Sequence, residues 1–154
     1  MPTTSEPEIN TIHFGSNMFK VERAFFRRIT QSWAGPGWDF MIGGRLLEGD
    51  GSLFPHGAHI EAEAAPILLD NAADYTGVEL NLPGTYDDES GEPYFGLRIV
   101  ETHDIADVHI QFRAKDGQKY LIYFSGTVDR TALRAVTKVE ALVWIEELPD
   151  HAYC

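Results

Sequence analysis

The stretch Val108-His109-Ile110-Gln111-Phe112-Arg113-Ala114-Lys115-Asp116-Gly117-Gln118-Lys119-Tyr120-Leu121-Ile122-Tyr123-Phe124-Ser125 decides the fold. Large apolar residues alternate with polar ones on both sides of Asp116-Gly117. That is the period-two pattern of strands with one buried face, joined by a dipeptide suited to a tight reversal. Two registers compete. A two-residue loop sets Phe112 opposite Leu121 and sends Ile122 and Phe124 to the side of His109, Gln111 and Arg113. A three-residue loop, Lys115-Asp116-Gly117, with Gly117 at positive φ, gathers Val108, Ile110, Phe112, Tyr120, Ile122 and Phe124 on one face. The second is favoured, because each of these side chains contributes about 1.5–3 kcal/mol when fully buried.

The same pattern extends outward from this hairpin. Short β-prone runs at Trp38–Leu47, Ala58–Leu69, Gly77–Leu82, Tyr94–Glu101 and Val136–Leu148 are separated by turn dipeptides such as Asp50-Gly51 and Pro83-Gly84. The region 131–148 could wind into a helix. Alternation of Val139, Ala141, Val143 and Ile145, with β-branched residues prominent, favours strand. Toward the N-terminus, Met18, Val21, Phe25, Phe26, Ile29 and Trp33 fall at spacings of three and four, which predicts an amphipathic helix with Lys20, Arg23 and Arg27 on its other side; strand is the competitor, because Phe19, Val21, Phe25 and Ile29 also lie at even spacings with charges between. The expected fold is therefore mainly β: a single antiparallel β sandwich or curved sheet of about seven strands with one N-terminal helix, an α+β roll being the alternative. Residues 1–10 read as a polar tail and 11–154 as one domain.

Charge narrows the functional classes. The chain has 24 Asp and Glu against 12 Lys and Arg, a net charge of -12 in 154 residues. Nucleic acid and anionic membrane surfaces are expected to repel it, since binding either requires clustered cations. No apolar run approaches the ~20 residues that span a bilayer. The lone cysteine, Cys154, forms no internal disulfide, and Met1–Gly15 lacks the basic and apolar regions of a leader, so a cytoplasmic location is expected.

Three groups of residues could carry chemistry. His56, His59, Glu61 and Glu63 bring metal-ligating side chains together, and His59, Glu61 and Glu63 alternate onto one strand face. Their spacing matches no established ligand pattern, and the polar face of a half-buried strand accounts for the same residues, so no cofactor is expected. His103-Asp104 with Asp107 and His109 could pair an imidazole with an orienting carboxylate, but no nucleophile accompanies them. The segment Asn81–Gly96 is too polar for a strand and carries Tyr86, Asp87, Asp88, Glu89, Glu92 and Tyr94, acids interleaved with aromatics. Such a loop, presented by a rigid sheet, suits recognition of a protein.

These readings converge on a non-enzymatic binding protein of inhibitor or immunity type. It would neutralise a basic protein partner, such as a toxin, through its acidic surface, as small bacterial immunity proteins do. The comparison is an analogy of size, charge and absent catalytic motif. A small metal-dependent enzyme or ligand-binding β domain using His56, His59, Glu61 and Glu63 is the alternative. A structural subunit that assembles through sheet edges is a third.

Overall fold

The structure is a computed structural model describing residues 6–31, 36–66, 69, 72–86, 91, 93–130 and 135–152. Its strands are β1 (Thr11–Phe14), β2 (Asn17–Gln31), β3 (Gly37–Glu48), β4 (Ala58–Ala65), β5 (Glu79–Leu82), β6 (Phe95–Arg98), β7 (Thr102–Asp116), β8 (Lys119–Arg130), β9 (Ala135–Glu147) and β10 (His151–Ala152). No helix occurs among the described residues, and so none long and apolar enough to cross a membrane.

The expected β content is present, but the architecture is a closed eight-stranded antiparallel barrel, not a sandwich. Strand β1 closes the ring: Ile12 lies opposite Phe19 of β2 on one side and Ala141 of β9 on the other. Beyond the start of β1 the two flanking strands meet directly and in parallel, Phe25 opposite Glu146 and Phe26 opposite Glu147. Asn10 stands at this fork. Its backbone N–H donates to the Leu142 carbonyl, its carbonyl accepts from Val21, and its side-chain oxygen accepts from the Trp144 N–H. After Pro149, β10 continues along β2, with His151 opposite Ile29, and an Arg28–Asp150 ion pair ties the same segment down. Closure joins strands far apart in the chain, so no local pattern reports it.

The predicted N-terminal helix is instead the long strand β2, and Trp33 lies outside the described residues. A β-bulge explains the misleading spacing. The register slips between Val21 and Arg23, so Glu22 is an extra residue on β2. The core side chains Phe19, Val21, Ala24 and Phe26 therefore step by two, three and two. Phe25 lies on the outer face, where the Arg23 guanidinium rests 4.8 Å from its ring centroid.

The 108–125 hairpin buries the six side chains expected of it, and Gly117 has φ +62°. Its register differs from either of those weighed. The loop is Gly117-Gln118, closed by Asp116 opposite Lys119, and a bulge between Phe112 and Ala114 restores alternation. Phe112 thus faces Ile122, not Tyr120. Turn and bulge each shift parity by one, so the sorting of faces survives. The strand reading of the last segment holds from Ala135 to Glu147, with Val139, Ala141, Val143 and Ile145 buried.

Aromatic rings fill the barrel. Phe26 is surrounded by Trp38, Phe40, Tyr75, Phe112 and Tyr120 at centroid distances of 5.5–6.0 Å. The polar ends of these rings are satisfied inside: Trp38 Nε1 donates to the Leu69 carbonyl at 3.0 Å, and the Tyr120 hydroxyl accepts from the Tyr75 N–H at 3.2 Å.

Candidate functional site

The described polar groupings are built from outward-facing side chains of the barrel wall. Of the six residues expected to form a partner-binding loop, Asp87, Asp88, Glu89 and Glu92 lie outside the described residues. The two ends of that segment are joined to each other. Tyr86 bridges to Pro93, the Tyr94 N–H donates to the Thr85 carbonyl at 3.1 Å, and the Tyr94 side chain packs on the core. Below it, Asp107 has φ +53° at a second bulge in β7, and its carboxylate accepts from the Gly84 N–H at 2.9 Å. Gly126 sits across from this bulge because a Cβ there would run into Ile105. Tyr86, at one end of this segment, is 54% exposed.

Beside that base, strand pairing lines up Glu61 of β4, Gly96 of β6 and Asp104 of β7. Gly96 carries no side chain, so the row dips between two carboxylates. The result is a depression of about 330 Å³ whose walls include Glu61, Glu63, Asp104 and Tyr94.

One step along the same strands runs a row of opposite character: Arg23 of β2, Gly43 of β3, His59 of β4 and Arg98 of β6. It forms a depression of about 300 Å³ completed by Arg45, His56 and Gly44. The His59 ring lies over Gly43, where a Cβ would come within 2.6 Å of Cδ2. Burial, and then the Arg98 charge, hold the His59 pKa below its ordinary value, while Glu61 and Glu22 act in the opposite sense. An Arg98–Glu61 ion pair at 2.7 Å separates the two depressions.

The four residues considered as metal ligands are thus divided. His56 and His59 line the basic depression, whereas Glu61 and Glu63 line the acidic one. Among the described residues no group of three or more His, Cys, Asp or Glu is placed to hold a metal ion. The His103–His109 group is also dispersed. His103 pairs across from core residue Leu97 while Asp104 faces outward beside Gly96, Asp107 serves the loop base, and His109 Nδ1 meets the Asn81 side-chain oxygen at 2.6 Å.

A further polar patch lies on β7–β9. Tyr123 donates to Glu140, and burial together with that carboxylate pushes the phenol up to about 12, so it stays a neutral donor at neutral pH. Arg113 sits over the Tyr123 ring and donates to Glu6 at 2.5 and 2.8 Å, which holds the segment before β1 against the barrel.

Sequence reasoning missed the arginine grouping. Arg23, Arg45 and Arg98 belong to three different strands, and Arg23 had been placed on a helix face; the available signal was Gly43-Gly44 beside Arg45. The chain matches no protein-family model, and no curated protein or solved structure is significantly similar to it.

Proposed function

We propose that this chain is a non-enzymatic binding protein that neutralises a basic protein partner, in the manner of an inhibitor or immunity protein, and that the partner docks over the 86–94 loop and the depression at its base. The observation that carries this reading is the Glu61–Gly96–Asp104 row with Glu63 and Tyr94 around it. A glycine between two outward carboxylates leaves room for a lysine or arginine side chain to be flanked on both sides, and Tyr94 supplies an aromatic wall. The sequence between Tyr86 and Tyr94 carries Asp87, Asp88, Glu89 and Glu92. With a net charge of -12, long-range attraction would speed encounter with a cationic surface.

The test is surface plasmon resonance against the protein that the chain captures from its source lysate. Association is expected to slow about tenfold between low and high salt. Replacing Glu61, Glu63 and Asp104 by their amides should reproduce that slowing at low salt, whereas Tyr94→Ala should chiefly speed dissociation. Unchanged rates in the triple amide and in a variant neutralising Asp87, Asp88, Glu89 and Glu92 would refute the reading.

A further inference from the structure

We propose that the second depression, bounded by Arg23, Arg45 and Arg98, binds the carboxylate of a small organic monoanion seated over Gly43 and the His59 ring. Concentration of charge is the first reason. Three of the chain's eight arginines meet here, although acids outnumber Lys and Arg by 24 to 12. Spacing is the second. Arg23 and Arg98 stand at the two ends of a four-strand row, roughly 14 Å apart at strand separations of ~4.8 Å. Side chains of this length leaning inward from both ends can meet one ligand above the side-chain-free Gly43.

Partnering supplies the third reason. Arg98 is held by Glu61 at 2.7 Å, and Arg45 reaches Glu22 only loosely, at 3.9 Å with both side chains about 60% exposed. Arg23 rests on the Phe25 ring and, among the described residues, pairs with no carboxylate. Against three guanidinium groups stand two carboxylates, so one positive charge is left to be matched. A carboxylate satisfies it, and the planar fork of arginine suits its two oxygens. Met41 in the same depression, and Phe25 opposite it across the β2–β3 pair, offer an apolar side for the body of the ligand. At about 300 Å³ the space is at the small end of small-molecule sites, which favours a ligand the size of an aromatic or short aliphatic acid.

Calorimetric titration, with the His59 ring resonances followed in parallel by NMR, tests this with benzoate, benzamide and inorganic phosphate as probes. Benzoate should bind saturably and shift His59, benzamide should do neither, and phosphate should bind no more tightly than benzoate. Arg23→Gln and Arg45→Gln should each weaken benzoate about tenfold. Glu22→Gln, which releases Arg45, should tighten it about threefold, a gain that no folding defect produces. Equal responses to benzoate and benzamide, a preference for phosphate, or a Glu22→Gln variant no tighter than the parent would each overturn the assignment.

Discussion

The acidic and basic depressions share strands β4 and β6 and are divided by the Arg98–Glu61 ion pair, yet they are built to different standards. The basic one is set into the backbone. A Cβ on Gly44 would collide with the Lys20 carbonyl, and one on Gly57, at φ +73°, would collide with the Gly44 carbonyl. The acidic one is laid on the surface, for a Cβ on its central residue Gly96 would press on the Thr102 methyl, at 2.9 Å, and leave the His103 carbonyl in ordinary contact at 3.6 Å. The same residue type thus serves close packing of main chains in one place and close approach of a single side chain in the other. The basic depression is a consequence of how β2, β3 and the 49–57 turn fit together, whereas the acidic depression depends on its side chains.

The largest expected effects test that difference directly. Gly44→Ala should lose about 3 kcal/mol in denaturant unfolding, since backbone must move to admit the methyl group. Gly96→Ala should lose less than about 1 kcal/mol, because a threonine rotamer change suffices. Similar losses at the two positions would end the distinction.

A smaller effect should appear at the boundary between them. Glu61→Gln removes the partner of Arg98, so it should strengthen benzoate in the basic depression and weaken a cationic partner at the acidic one. Its cost in stability should stay within about 1 kcal/mol, as for other exposed pairs. Changes of the same sign at both sites would show that the variant perturbs the wall as a whole.

Smallest is the pH response of His59. A ring whose folded pKa lies below the ordinary 6.5 is favoured neutral by the fold. Its contribution to stability is therefore complete above 6.5 and is lost as pH falls from there through the lowered value. Arg98→Met should raise the His59 midpoint in an NMR titration, and Glu61→Gln should lower it. Midpoints that do not move would place the cause in burial alone and uncouple the imidazole from its neighbours.

How far the chain could be read follows from the range of the interactions involved. Alternation within β8 is local and undisturbed from Tyr120 to Val128, and it was legible; so was the positive φ of Gly117, which a tight reversal demands. In β2 the extra residue Glu22, together with apolar Phe25 and Ile29 at the parity opposite Phe26, blurred the period of two, and the strand read as a helix. Glu61 and Glu63 were legible as outward neighbours because they lie two apart on one strand. The arginines of the basic depression were not, because Arg23, Arg45 and Arg98 come together only through the register of β2 with β3, of β3 with β4 and of β4 with β6.

By itself the sequence determined that this chain is β-rich, that its buried faces are aromatic and β-branched, and that it carries a net charge of -12, because composition and period-two alternation are properties of neighbouring residues. The tertiary structure alone decided that the sheet closes. The Ile12–Ala141 pairing spans almost the whole chain, and the strands between it carry bulges at Glu22 and Asp107 and main chains close enough to require Gly44 and Gly57. It also decided which charges meet. A charged side chain on an outer face answers to the strands beside it, and those neighbours are chosen by the pairing of the whole barrel.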